Sequence, residues 1–236
     1  MKLMRLRTIV GMFGAATVGA ALAVLPAPAM AGSAVTPTLV RLASARETGE
    51  VTLWNGGTTP MLVEASAVSW SQEGGHESFA PTDDFVIAPA IVEVRPHSGQ
   101  IFRVRAKIAP TGHERTYRLR LEDVTPAQPG TGVGMRIRHD LPLIVTVAGG
   151  KPDLVFGLCP AHPTGCLRVT NRGTAFARIT DLTITAGGSG EKRLDGISTI
   201  LAGSWHEWAL PALPRQPLHV RAQTAQGLVS AAVAQP

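Results

Sequence analysis

The sequence contains only two cysteines, no run of lysines and arginines of the kind that marks a nucleic-acid arm, and, beyond residue 31, no stretch apolar enough to cross a membrane. Nor does it carry, beyond residue 31, an amphipathic helical pattern of about eleven residues or more. Catalytic signatures are missing too. His206-Glu207 lacks the second histidine of a metalloprotease helix, and the seven histidines are scattered. Ser189 sits in Gly188-Ser189-Gly190, which is not a nucleophile elbow. Gly130-Thr131-Gly132-Val133-Gly134 leads into a strand pattern, so it lacks the helix N-terminus that would hold a phosphate. Asp83-Asp84 reads as a solvated acidic pair in a loop. Two cysteines alone do not complete a zinc site, and His162 between them reads as a turn residue. These absences argue against an enzyme, a cofactor, a resident metal and a nucleic-acid partner.

What is present begins with an export signal. Lys2, Arg5 and Arg7 precede an uncharged, mostly apolar stretch from Thr8 to Leu25, and Ala29-Met30-Ala31 supplies the small residues of a cleavage site. Residues 1–31 therefore read as a cleaved secretory signal, with an uncleaved N-terminal anchor as the alternative. Cleavage leaves 205 of the 236 residues and lowers the formal charge from +5 to +2, which removes most of the apparent basicity. In an oxidising compartment, Cys159 and Cys166, flanking a Pro/Gly-containing turn, are expected to pair as a disulfide. Closing so short a loop is worth about 2–3 kcal/mol in the chain-entropy model.

Period-2 patterns dominate the rest. Phe102, Val104, Ala106 and Ile108 alternate with Arg103, Arg105 and Lys107, and Tyr117, Leu119 and Leu121 alternate with Arg118, Arg120 and Glu122. Each is the mark of a strand buried on one face. Short strands separated by turn residues recur up to Gly149-Gly150, and a second series follows from Asp153. The Asn171-Arg172-Gly173 turn in the second half echoes Asn55-Gly56-Gly57 in the first. The expected fold is all-β, with two sandwich domains at 32–149 and 150–236.

The segment Val133–Val147 stands out. Val133, Met135, Ile137, His139, Leu141, Leu143, Val145 and Val147 share one face of a strand longer than its neighbours. An apolar overhang at a sheet edge is an aggregation hazard, so its retention points to use in strand addition to a partner. Burying Val133, Met135 and Ile137 in that partner would give roughly 5–9 kcal/mol before ordering costs. The alternative is an ordinary core strand after a bulged loop.

Pro37-Thr38, Val51-Thr52-Leu53-Trp54-Asn55-Gly56-Gly57, Val68-Ser69-Trp70-Ser71-Gln72-Glu73-Gly74, Ile87-Ala88-Pro89, Gln100-Ile101-Phe102-Arg103-Val104 and Tyr117-Arg118-Leu119-Arg120-Leu121-Glu122 occur in order at fitting intervals. Together they resemble the first domain of PapD-like periplasmic pilus chaperones, especially the branch associated with spore-coat-U-type subunits. The second half resembles that family's second domain more loosely, through Asn171-Arg172-Gly173 and Leu201-Ala202-Gly203-Ser204.

The resemblance implies two immunoglobulin-like β-sandwich domains in an L- or boomerang-like arrangement around a cleft. It implies a periplasmic chaperone, working without ATP, that stabilises incomplete pilus or fimbrial subunits by donor-strand complementation and delivers them to an outer-membrane usher. Val133, Met135 and Ile137 fall where donated side chains belong, and the same strand offers a route to self-association when no subunit is bound. The family holds the subunit's terminal carboxylate with an arginine in its first strand and a lysine near the cleft end of its last. Here those positions read Leu39 and Arg138-His139-Asp140. Arg41, two residues from Leu39 and so on the same strand face, is the candidate replacement, with Arg103 and Arg138 as further carboxylate-anchor candidates; the alternative is that Arg41 and Arg138 are solvated. The competing function is a secreted immunoglobulin-like adhesion or envelope-binding module.

Overall fold

The structure, a computed structural model, describes residues 32–109, 111–126, 135–159, 165–187, 190–210 and 218–233. Among them every helix or strand element is a β-strand. In the first half these are β1 (Ser33–Thr36), β2 (Val40–Leu42), β3 (Thr48–Asn55), β4 (Met61–Glu73), β5 (His76–Pro81), β6 (Phe85–Ala88), β7 (Ile91–Val94), β8 (Ser98–Ala106), β9 (Arg115–Asp123) and β10 (Arg138–Val145). They form two sheets, ordered β1-β3-β8-β6 and β2-β10-β9-β4-β5, with β7 also paired to β4. The alternating residues decide the layers. Phe102, Val104, Leu119 and Leu121 are fully buried, while Arg103 and Arg105 point to solvent. Inner faces of both sheets, including Leu42, Leu53, Val63 and Leu143, close on one apolar core. Each large side chain there contributes about 1.5–3 kcal/mol of burial.

The second half comprises β11 (Leu154–Leu158), β12 (Cys166–Asn171), β13 (Ala177–Ala186), β14 (Lys192–Leu194), β15 (Ser198–Ile200), β16 (Trp205–Ala209), β17 (Leu218–Thr224) and β18 (Gly227–Ala232). Its sheets run β11-β12-β16 and β14-β13-β17-β18, with β15 on β13, around a separate core that contains Leu167, Ile179, Leu182 and Val220. Among the described residues no strand of one half pairs with a strand of the other. The fold is thus two immunoglobulin-like sandwiches.

The two asparagine turns are physically the same device. Asn55 Nδ2 donates to the carbonyls of Thr59 and Val94, and its Oδ1 accepts the Gly57 N–H. Asn171 Nδ2 donates to the carbonyls of Ala175 and Ile200, and its Oδ1 accepts the Gly173 N–H. Both asparagines are buried, so each amide must find these partners to avoid an uncompensated desolvation cost.

The strand pattern at Val133–Val147 is shorter in the structure. Val133 lies outside the described residues, as do His162, Ser189 and the Gly130–Gly134 run, and β10 begins only at Arg138. Asp123 N–H still donates to the Ile137 carbonyl at 3.0 Å, one rung beyond the strand, but β9 ends at Asp123 and the ladder stops there.

Candidate functional site

The register of β10 sorts its side chains. Leu141, Leu143 and Val145 face the core, so Met135, Ile137 and His139 continue the core-facing row beyond the sandwich. Met135 is 82% exposed, which is extreme for so apolar a side chain. Ile137 is half-buried and approaches Gly32; His139 Nε2 shares a 2.6 Å hydrogen bond with Ser33 Oγ. On one side β10 pairs with β9 along its whole length. On the other, β2 covers only Leu143–Val145, in parallel register. Arg138–Pro142 therefore presents an edge that no strand among the described residues occupies.

The even positions of β10 face away from the core, and at the end of the strand Pro142 and Ile144 meet the second half. Ile144 is fully buried there with Trp70, Phe176 and Leu201, flanked by Leu39. Beside this apolar joint lies a cavity of about 470 Å³ to which both halves contribute. Pro142, at the end of the free edge, and its cross-strand neighbour Arg118 are in its wall, with Arg178, Ser198 and His206 opposite. The Arg118 guanidinium lies 3.9 Å from the Trp70 ring centroid and 3.6 Å from Glu77. Burial lowers its pKa below the ordinary arginine value, opposed by Glu77 and Asp140. It remains a fixed cation with little water around it, the setting in which an anion is held most strongly.

The carboxylate-anchor candidates do not converge. Arg41 is opposite Ile144 and Arg138 is opposite Glu122, so six residues of β10, roughly 20 Å of strand, separate them. Arg41 lies 3.6 Å from buried Glu114 and over the Phe176 ring. Arg138 lies 3.7 Å from Asp140. Arg103 belongs to the other sheet and pairs with Glu50 at 2.9 Å. Arg118, which does line the cavity, reads from sequence as one more solvent-facing residue of an alternating strand.

Trp70 is a core aromatic, 3% exposed, that also carries Arg118 on its face. Asp84 is not simply solvated; it accepts the Tyr117 hydroxyl at 2.6 Å, and burial together with this carboxylate pushes the phenol pKa up. Cys159 and Cys166 are joined in a disulfide across the β11–β12 hairpin, with their Cα atoms 5.1 Å apart. Glu207 lies near both sulfurs, but thiols consumed in a disulfide offer no thiolate to a metal.

Residues 32–149 match the family model for "Pili and flagellar-assembly chaperone, PapD N-terminal domain". The chain belongs to this family. Membership assigns it a chaperone role in pilus assembly and implies a non-enzymatic one. No curated protein sequence matches the chain. Among solved structures, a chain of the CsuC–CsuE chaperone–tip adhesion subunit pre-assembly complex, from the archaic chaperone-usher Csu pili of Acinetobacter baumannii, is similar with a TM-score of 0.68 at 17% identity. That match covers 87% of this chain and 100% of that one. The E. coli chaperone DraB matches with a TM-score of 0.63 at 18% identity, over 86% of this chain and 97% of its own. A chain of the Salmonella enterica SafA pilin–SafB chaperone complex gives 0.60 at 16%, over 85% and 95%. At such identities the likeness is one of fold, and its coverage takes in the second sandwich of this chaperone as well as the first.

Proposed function

We propose that this chaperone acts in the periplasm, reached through a cleaved signal at residues 1–31, where it completes the sandwich of an unfinished pilus subunit by donating the start of β10. The observation that carries the reading is the Arg138–Pro142 edge, unoccupied among the described residues and continuous with an apolar row in which Met135 is exposed and Ile137 half-buried. A subunit strand pairs along that edge while Val133, Met135 and Ile137 fill the subunit's core; chaperone–pilin complexes are a known instance of such strand addition. Pro142 has no N–H to offer, so pairing ends at the cavity. A subunit strand running parallel to β10 brings its C-terminus to that point. Its carboxylate then meets Arg118, which takes the anchoring role for which the family resemblance offers Arg41, Arg103 and Arg138 as candidates. The complex is delivered to an outer-membrane usher, and strand exchange there releases the subunit without ATP.

The test is co-expression in a bacterial periplasm with the subunit encoded beside the chaperone gene, followed by pull-down. Wild type is expected to capture and protect the subunit. The Met135→Asp, Ile137→Asp double variant is expected to stay folded, since Met135 is exposed and Ile137 lies outside the core cluster, yet capture little. Equal capture by both proteins would remove the donor assignment.

A further inference from the structure

The cavity beside Pro142 is built by both sandwiches, and its charge is unevenly satisfied. Arg118, from the first half, already has Glu77 at 3.6 Å. Arg178, from β13 in the second half, is exposed and has no carboxylate within ion-pair distance among the described residues. Its place in the wall is fixed from across the junction. Arg178 is paired with Thr199 of β15. The Gln72 amide donates to the Thr199 carbonyl at 2.6 Å, and its oxygen accepts the Leu201 N–H at 2.9 Å. Ser204 Oγ donates to the Gln72 carbonyl at 3.2 Å, completing a clasp between β4 and the β15–β16 connection.

We propose that Arg178 is the second cation of the carboxylate site, so that a subunit's chain terminus bound there is held by both sandwiches at once. This rests on the reading of the cavity as the seat of that terminus. A carboxylate has acceptor positions for two guanidinium groups, and a guanidinium already compensated by Glu77 gains less from it than a free one. Arg118 supplies a rigid, desolvated contact; Arg178 supplies the unbalanced positive charge. The second sandwich thereby takes part in recognition instead of serving only as a support. A bound terminus also reinforces the Gln72 clasp, because Arg118 on β9 and Arg178 on β13 give it a second bridge between the same two sandwiches.

The probe is a fluorescein-labelled peptide copying the C-terminal strand of the neighbouring subunit, made as free acid and as C-terminal amide, with binding read by anisotropy. Wild type is expected to bind the acid about tenfold more tightly than the amide. Arg178→Gln is expected to remove most of that preference, Arg178→Lys to restore part of it, and Arg172→Gln, an exposed charge of the same sandwich outside the cavity wall, to leave it unchanged. A wild-type preference retained in Arg178→Gln would overturn the role of Arg178 while leaving Arg118 as the anchor. No preference in wild type, or no binding of either peptide, would remove the terminal-carboxylate site itself and the proposal with it.

Discussion

Glu114 accepts a hydrogen bond from the backbone N–H of Phe176, at 2.9 Å, across the junction of the two sandwiches. Its own N–H donates to the Thr174 carbonyl at 2.9 Å, and Arg41 sits 3.6 Å from its other carboxylate oxygen. The side chain is only 4% exposed, so neither Glu114 nor the Phe176 N–H has water to fall back on.

Removing that carboxylate should therefore loosen the junction. Glu114→Ala leaves a buried N–H unpaired at a cost of about 1–3 kcal/mol. Glu114→Gln keeps an acceptor oxygen and loses mainly the attraction to Arg41, itself half-exposed and worth little. Thermal unfolding is expected to rank wild type, then glutamine, then alanine. Equal transitions for all three would show that this bond contributes nothing to stability.

Gly75 provides a second contact across the junction. It has φ +81, and a Cβ built there would fall 2.5 Å from Cζ3 of Trp205. Trp205 also carries Arg168 over its ring, with the guanidinium 4.3 Å from the ring centroid and paired with Glu207. Gly75→Ala meets two penalties, a left-handed backbone costing about 1–2 kcal/mol and a clash with the indole. Trp205→Ala should relieve the clash and leave the backbone penalty. A double-mutant cycle is expected to show the two substitutions together costing less than their sum; strict additivity would mean that the hairpin tip does not bear on Trp205.

The sequence makes the half-buried strands legible because burial on one face imposes alternation. Phe102–Ala106 and Tyr117–Leu121 are found this way, and Asn171-Arg172-Gly173 is rightly paired with Asn55-Gly56-Gly57. β5 escapes because all six of its residues are exposed, so no alternation marks it. β16 escapes because Trp205, His206 and Glu207 are half-buried against neighbours rather than split between core and solvent. The stretch from Leu218 folds back at Ala225-Gln226 into β17 and β18, and no glycine–proline or asparagine–glycine pair marks that turn in the sequence. The cavity is not legible at all. Arg118 and Arg178 each look like outward-facing strand residues, and only the docking of one sandwich on the other brings them to one wall. Trp205 carries no readable role for the same reason.

The disulfide should matter to the second sandwich alone. Cys159 and Cys166 close the β11–β12 hairpin, and Cys159 N–H donates to the Cys166 carbonyl at 3.0 Å. A Cys159→Ala, Cys166→Ala variant loses about 2–3 kcal/mol in the chain-entropy model. Limited proteolysis is expected to open residues 154–232 earlier than in wild type while residues 33–145 stay protected. Simultaneous loss of both halves would show instead that they unfold as one unit.

Acidification should weaken the fold through two histidines. Burial lowers the pKa of His139, which shares its ring nitrogen with Ser33. It also lowers that of His206, where Glu207 and Glu77 oppose the shift and His76 adds to it. Both rings thus prefer to be neutral in the folded chain. Above the ordinary value of 6.5 they are neutral in folded and unfolded chains alike, and the full stability is present. As pH falls below that value the unfolded chain takes up protons first, so stability drops until the folded pKa values are passed. Melting temperature is expected to decline as pH falls through and below 6.5, and the His139→Gln, His206→Gln variant to show a flatter profile there. A variant profile parallel to wild type would assign the acid sensitivity to other groups, and a flat wild-type profile would mean that neither ring resists protonation in the folded chain.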